Sequence, residues 1–210
     1  MEKYIYFINS KNINILLTDD CYLYRGLKEI TGMPLIHMSL GGTMNASEKI
    51  TGKGKIRVLI DNRIFSAGEW RGFIRLKKLL HAGADWIWLD IYGHCRFYPK
   101  GSEYDIYVDF QGGMNNALSA LYKAYVRRRV NYLMYHYPRL TNMELHILQR
   151  MLDKKTLSEI QQEFKLNEKT ASGYRSRIVR KFGCRRYGEF ILLYDKNKQT
   201  VDQKWRKPLL

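Results

Sequence analysis

The chain has 210 residues, of which 45% are hydrophobic and 13% aromatic, enough for one or two folded domains rather than a disordered chain. Its formal net charge of +16 favours a polyanionic partner such as nucleic acid, or an anionic membrane surface. Positive charge is denser towards the C-terminus, since the residues from Arg139 on carry +9 and the remaining 138 carry +7. Three widely spaced cysteines argue against a disulfide framework, and no apolar run approaches the roughly 18 residues of a membrane span.

The sequence has none of the common catalytic or metal-binding signatures. It lacks a nucleophile elbow, a Walker loop and a GxGxxG fingerprint, and its five histidines have neither HxxxH nor HExxH spacing. The N-terminus does not have the cationic-then-apolar order of a signal peptide. We therefore expect a cytoplasmic protein that is not an enzyme and has no structural or catalytic metal site.

Short apolar runs alternate with amphipathic segments over about the first 125 residues. The β-like runs are Ile13–Thr18, Leu35–Ser39, Ile56–Ile60, Trp86–Leu89 and Ile106–Phe110. The helical patterns are Tyr24–Ile30, Glu69–Leu80 and Asn116–Tyr125. This alternation predicts an α/β domain, residues 1–126, with a parallel sheet flanked by helices.

Acidic side chains follow two of the predicted strands. Asp19 and Asp20 come directly after the first strand, and Asp61 follows Val58 to Ile60 in the third. These segments resemble the matching parts of response-regulator receiver domains. The resemblance implies that Asp61 is the phospho-acceptor and that the three carboxylates hold Mg²⁺ against an acyl phosphate.

The resemblance to a receiver is incomplete. Receivers also use a Ser or Thr after the fourth strand and a Lys after the fifth, where this chain has Asp90 or Ile91 and Asp109–Gln111. A phosphoryl group would lack its usual counter-ion and be repelled by the extra carboxylate. Three interpretations stay open: a degenerate pseudo-receiver for dimerisation, partner contact or signal input, a phosphorylated receiver, or carboxylates that only end strands and cap helices.

Arg127, Arg128 and Arg129 open a junction that we assign to residues 127–138. Tyrosines and a leucine make this segment too apolar for a free tether, so we expect it to pack. One arrangement is a continuation of the preceding helix up to Pro138.

Four short helices are predicted in residues 139–195, followed by a basic tail, residues 196–210. The helices are a scaffold helix from Thr141 to near Asp153, then about Thr156–Phe164, Glu168–Phe182 and Arg186–Tyr194. Thr141 and Glu144 form a capping box for the first. The connection Lys165–Asn167 has the length of the tight turn in a helix-turn-helix motif.

The third of these helices has two different faces at roughly 100 degrees per residue. Its core face carries Ala171, Tyr174, Ile178 and Phe182, and its other face carries Lys169, Ser172, Gly173, Ser176, Arg177 and Arg180. A short, unobstructed, cationic face can approach base edges in the major groove. Taken alone, the segment is equally well an ordinary surface helix with a solvated charged face.

About fifty residues here resemble, without a gap, the DNA-binding domain of LuxR/FixJ-type regulators, also found in NarL-type response regulators. The residues that carry the resemblance are Leu140, Thr141, Glu144, Ile147, Leu148, Glu159, Ile160, Leu166, Lys169, Thr170, Ser172, Arg175, Ile178, Lys181, Gly183 and Glu189. By this resemblance, Lys169, Ser172, Gly173 and Ser176 face the major groove, whereas Thr170, Arg177, Arg180 and Lys181 lie near phosphates.

These features predict a sequence-specific transcription regulator that binds double-stranded DNA in the bacterial cytoplasm, at the nucleoid. Two half-sites favour a homodimer, or a heterodimer with a related regulator. The alternatives are a phosphorylation-dependent response regulator using Asp61, and an adaptor that binds acidic partners or another regulator without reading DNA. We expect no cofactor, apart from Mg²⁺ if the acidic site is functional, and the sequence identifies no small-molecule ligand.

Overall fold

A computed structural model of the chain describes residues 12–39, 54–63, 70–80, 83–91, 96–110, 112–126, 131–199 and 201. The chain divides into two compact units. The first comprises residues 1–93 and 102–135, and the second comprises residues 94–101 and 136–210. Segment 96–101 thus belongs to the second unit, although in sequence it lies between two strands of the first.

The first unit is built on a six-stranded sheet. Its strands are β1 (Ile13–Leu17), β2 (Leu35–Met38), β3 (Ile56–Asp61), β4 (Ala84–Asp90), β5 (Ile106–Asp109) and β6 (Asn131–Tyr132). The spatial order is β2-β1-β3-β4-β5-β6, in which the first five strands are parallel and β6 is antiparallel to β5. The predicted parallel α/β sheet is confirmed, with all five predicted strands in place.

Helices cover both faces of this sheet, as the hydrophobic strands require. They are α1 (Cys21–Thr31), α2 (Arg71–Leu80) and α3 (Met114–Tyr125). On one face, Leu27 of α1 and Leu121 of α3 share a buried cluster with Leu59 of β3. On the other, the ring of Phe73 in α2 lies edge-on to Trp88 at a centroid distance of 5.8 Å.

No helix occurs between β4 and β5 in the described residues 96–105. Instead, a buried polar cluster fixes the start of β5: Lys77 Nζ of α2 lies 2.6 Å from Asp105 Oδ2, and Trp88 Nε1 donates to the same oxygen at 2.9 Å. Burial lowers the pKa of Lys77 and raises that of Asp105, so each charge depends on the other. This pair ties the returning chain to α2.

The junction differs from a continued helix. After α3 the chain forms β6 and a 3₁₀ helix, Leu133–His136, while the triple arginine lies outside the described residues. Leu133 is buried in the first unit and Tyr137 in the second, whereas Tyr132 and Tyr135 are exposed, so only part of the described junction is packed.

The second unit contains the four predicted helices. They are α4 (Asn142–Leu152), α5 (Leu157–Phe164), α6 (Glu168–Lys181) and α7 (Tyr187–Asn197). Capping boxes open α4 and α5, formed by Thr141 with Glu144 and by Thr156 with Glu159. Residues 202–210 of the predicted tail lie outside the described part. Within the described ranges, no helix is long and apolar enough to cross a membrane.

Candidate nucleic-acid interface and the acidic edge of the sheet

The turn between α5 and α6 is closed by local hydrogen bonds. Lys165 has a left-handed backbone with φ of 52°, and the Leu166 N–H donates to the Gln161 carbonyl at 3.0 Å. Asn167 then caps α6, since its Oδ1 accepts from the Thr170 N–H at 2.8 Å. These contacts set the direction in which α6 leaves the turn.

The inner face of α6 is packed into the second unit. Ala171, Ile178 and Phe182 are buried as predicted, and Val179, which sequence reasoning missed, is buried as well. Tyr174 is only half-buried, and its ring centroid lies 5.3 Å from the Arg177 guanidinium. The helix therefore has one fixed orientation about its axis within this unit.

The outer face of α6 is accessible. Five of the predicted DNA-contacting residues are exposed, namely Lys169, Thr170, Ser176, Arg177 and Arg180, and Ser172 and Gly173 are half-buried. An ideal Cβ built on Gly173 meets no atom within 4 Å, so packing within the described residues does not require a glycine there. The predicted face exists, while its contact with DNA stays a prediction.

Lys181 differs from the other residues predicted to contact DNA. Its Nζ lies 2.6 Å from Oε2 of Glu144 and donates to the Arg139 carbonyl at 2.9 Å. Glu144 is 1% exposed and also accepts from the Thr141 N–H at 2.8 Å. The sequence indicated the capping box but not this ion pair, because its partners are 37 residues apart. A phosphate contact by Lys181 would compete with it.

At the carboxyl ends of the strands, Asp61 is nearly inaccessible to solvent, with an exposed fraction of 1%. Thr18 Oγ1 donates to its Oδ2 at 2.7 Å. The Arg63 guanidinium lies along both carboxylate oxygens, with Nε 2.9 Å from Oδ1 and Nη2 2.7 Å from Oδ2. The hydrogen bond with Asp61 is the main reason why the pKa of Arg63 is raised.

Asp20 meets the same guanidinium, whereas Asp19 is exposed. Asp20 Oδ2 lies 2.9 Å from Arg63 Nη2, and Oδ1 accepts from the N–H groups of Tyr22 and Leu23 as the N-cap of α1. The hydrogen bond from Leu23 is the main cause that lowers the pKa of Asp20. Sequence reasoning missed Arg63, although a cation two residues after the candidate phospho-acceptor was a visible signal.

The carboxylates in this arrangement do not fit Mg²⁺. That ion needs six oxygens in octahedral geometry at about 2.0–2.1 Å, but Asp20 and Asp61 direct their oxygens at Arg63, Thr18 and the start of α1. Among the described residues, no group of three or more His, Cys, Asp or Glu side chains could hold a metal ion.

A second buried carboxylate, Asp90, ends β4 beside this network. Its Oδ1 accepts from Asn62 Nδ2 at 2.7 Å, and its Oδ2 accepts from the Tyr107 hydroxyl. Asp90 is one of the two residues, with Ile91, that stand where a receiver would have Ser or Thr, and Asp109 at the end of β5 is exposed. Asp90 thus accepts hydrogen bonds from a residue directly after β3 and from a residue of β5.

No family model and no curated protein matches the sequence. Among solved structures, the chain is similar to two RcsB dimers bound to two parallel DNAs, at 17% identity and a TM-score of 0.50, over 90% of this chain and 99% of that chain. A complex of the two-component response regulator RcsB with DNA is 16% identical, with a TM-score of 0.48, over 90% of this chain and 99% of that chain. RcsB from Salmonella enterica serovar Typhimurium bound to promoter rprA is 16% identical, with a TM-score of 0.46, over 88% of this chain and 99% of that chain. The first likeness supports the fold, an α/β sheet unit followed by helix-turn-helix helices.

The ion pair between Glu144 and Lys181 predicts how acid affects the second unit. Burial acts to raise the pKa of Glu144, but hydrogen bonds from Lys181 and Thr141 outweigh it and hold the pKa below its usual value. The stabilisation is therefore complete above the unfolded pKa, about 4.3, and is lost as the pH falls through the lower folded pKa. Urea unfolding followed by hydrogen exchange in α4 and α6 should show this loss in the wild type. In Glu144→Gln, stability should be lower at neutral pH and fall less steeply in acid, and an equally steep fall would contradict the assignment.

Proposed function

We propose that this chain is a sequence-specific DNA-binding transcription regulator that places α6 in the major groove. The observation that carries the proposal is the outer face of α6, on which exposed Lys169, Arg177 and Arg180 surround a glycine with open space above it. A helix whose inner face is packed and whose outer face is short and cationic can approach base edges and phosphates together. The net charge of +16 supports a polyanionic partner.

In this proposal the outer residues divide into two groups. Lys169, Ser172, Gly173 and Ser176 face the bases, and Thr170, Arg177 and Arg180 contact phosphates. Lys181 instead stabilises the unit by its pair with Glu144, which the 2.6 Å distance and the burial of Glu144 favour.

We further propose that the regulator acts as a dimer, a homodimer or a heterodimer with a related regulator, on two half-sites of nucleoid DNA in the bacterial cytoplasm. Joining two half-sites raises affinity without new contacts in either. The RcsB structure with the TM-score of 0.50 contains dimers on DNA. The molar mass of the complex by light scattering tests the stoichiometry.

The sheet unit acts in this proposal without phosphorylation, as a non-catalytic pseudo-receiver for dimerisation or signal input. The position of Arg63 supports it, because a guanidinium bonded to both Asp61 and Asp20 takes the place of a divalent cation. It would also have to leave before Asp61 could attack a phosphoryl donor. Asp90 adds a carboxylate that disfavours an acyl phosphate nearby.

Charge removal on α6 should separate reading from positioning. After binding-site selection with the full chain, Lys169→Ala should relax discrimination between the selected site and its single-base variants by about 1–3 kcal/mol. Arg177→Ala should weaken binding to all DNA sites by similar factors. It should also make the slope of the logarithm of the binding constant against the logarithm of the salt concentration shallower by about 1. Lys123→Ala, which removes an exposed charge from α3, serves as the control in fluorescence anisotropy titrations. Wild-type protein without any site preference would favour the adaptor interpretation.

Gly173 should show opposite effects on stability and on binding. Gly173→Ala should stabilise α6 by roughly 0.5–1 kcal/mol, because the methyl group meets no atom of the described chain. It should weaken the selected complex several-fold, since the same methyl group would face the DNA. Gly188→Ala in α7 is the matched control, because a Cβ there also meets nothing within 4 Å. Unchanged affinity of Gly173→Ala for the selected DNA site would contradict the placement of α6 in the major groove.

Asp61 should not accept a phosphoryl group in the wild type. Acetyl phosphate with Mg²⁺ should give no acid-labile phosphate by intact mass, and DNA affinity should stay the same. Arg63→Ala should lower the free energy of unfolding by roughly 2–4 kcal/mol, because it leaves the buried Asp61 without its counter-ion. Labelling of the wild type that disappears in Asp61→Asn would instead establish a phosphorylation-dependent response regulator.

A further inference from the structure

Four residues from the connection between β4 and β5 form part of the second unit. We call residues 96–99 the strap; in sequence they lie between Asp90 and Ile106, and they pack among the helices of the second unit. Within that unit the strap contacts α6 at its C-terminal end, where the predicted DNA-binding helix stops.

The backbone of the strap completes the cap of α6. The last carbonyl groups of a helix lack partners within it. Here Ile178, Val179 and Arg180 carbonyls accept from Phe182, Cys184 and Gly183. The carbonyl of the C-cap residue Phe182 accepts from the Arg96 N–H of the strap at 2.8 Å.

Phe97 of the strap lies in the aromatic core of the second unit. Its exposed fraction is 1%, and its ring is stacked on that of Phe182 at a centroid distance of 4.7 Å. The rings of Phe190 and Tyr194 in α7 lie at 5.2 and 6.5 Å. Phe97 therefore packs against both the end of α6 and α7, whose rings Phe182 and Phe190 also contact each other at a centroid distance of 5.3 Å.

The rest of the strap is anchored on both sides. Tyr98 stacks on Tyr137 at a centroid distance of 5.3 Å, and Pro99 pairs with Val201 in an isolated antiparallel bridge. Tyr98, Pro99 and Val201 are all buried. A segment with two buried aromatic rings and two backbone pairings is part of the fold of this unit.

We infer that the strap is an integral element of the DNA-binding unit and that Phe97 is a positioning residue for α6. This inference rests on the proposed function, and it means that selective DNA binding requires the β4–β5 connection of the sheet unit. The four helices of residues 139–195 are then not a complete DNA-binding module by themselves.

Hydrogen exchange of the full-length protein tests the inference without DNA. Phe97→Ala leaves a cavity beside Phe182, so exchange in the last two turns of α6 should rise roughly 100-fold, while β3 and β4 stay protected. Phe97→Leu, which keeps an apolar side chain, should give a smaller rise. The control is Tyr104→Ala, which truncates an aromatic residue of the same connection whose side chain is 71% exposed.

DNA binding provides the second readout. Phe97→Ala should weaken the selected site at least about ten-fold, with Phe97→Leu between it and the wild type, because a displaced α6 loses base contacts worth about 1.4 kcal/mol or more. Each titration is normalised to the active fraction, so that unfolded molecules do not count as weak binders.

The outcomes separate the inference from the proposed function. If hydrogen exchange in α6 of Phe97→Ala equals that of the wild type, the inference is wrong, whatever the DNA-binding result. Loss of protection throughout the second unit, with the sheet still protected, supports it. If Phe97→Ala unfolds entirely, Phe97→Leu decides, and unchanged α6 exchange there overturns the inference. Wild-type protein that selects no DNA removes the proposed function, while the exchange data still decide the role of the strap.

Discussion

The parallel sheet forces acidic strand ends together, and their neutralisation shapes the first unit. Asp61 and Asp90 both end buried strands, and burying a carboxylate is costly unless charged groups or hydrogen-bond donors surround it. Arg63 supplies the charge to Asp61 and reaches Asp20 as well, so one guanidinium joins the end of β3 to the start of α1. The partners of Asp90 come from neighbouring segments. Side chains of the same protein thus contact both buried carboxylates at the carboxyl ends of the strands.

A second constraint concerns the connection between β4 and β5. Its end is fixed in the first unit by the buried pair of Lys77 and Asp105, while Phe97 is fixed in the second unit. In the first unit the Met134 N–H donates to the Glu103 carbonyl at 3.0 Å, and in the second Tyr98 stacks on Tyr137. The segments on either side of the chain crossings at 101/102 and 135/136 are thus held within each unit.

The sequence predicts features that depend on neighbouring residues better than contacts between residues far apart in the chain. The strands, the helices and the two faces of α6 follow from spacing and caps, which involve neighbours within a few residues. The pairing of Glu144 with Lys181 and the burial of Val179 depend on how helices cross, which spacing does not encode. The strap was invisible for the same reason, because Phe97 packs on Phe182, 85 positions away. Arg63 could have been noticed, yet only the fold shows that it turns back onto Asp61.

These constraints limit how a signal could reach α6. A ligand shifts a conformational equilibrium only through different affinities for its two states. At the acidic edge of the sheet, the cation that contacts Asp61 is the guanidinium of Arg63 from the same chain. In the β4–β5 connection, residues 96–101 belong to the second unit, whereas residues 102–105 belong to the first. A partner that displaces Phe97 would therefore act on the end of α6, because the Phe97 ring stacks on Phe182 and the neighbouring Arg96 N–H caps the Phe182 carbonyl.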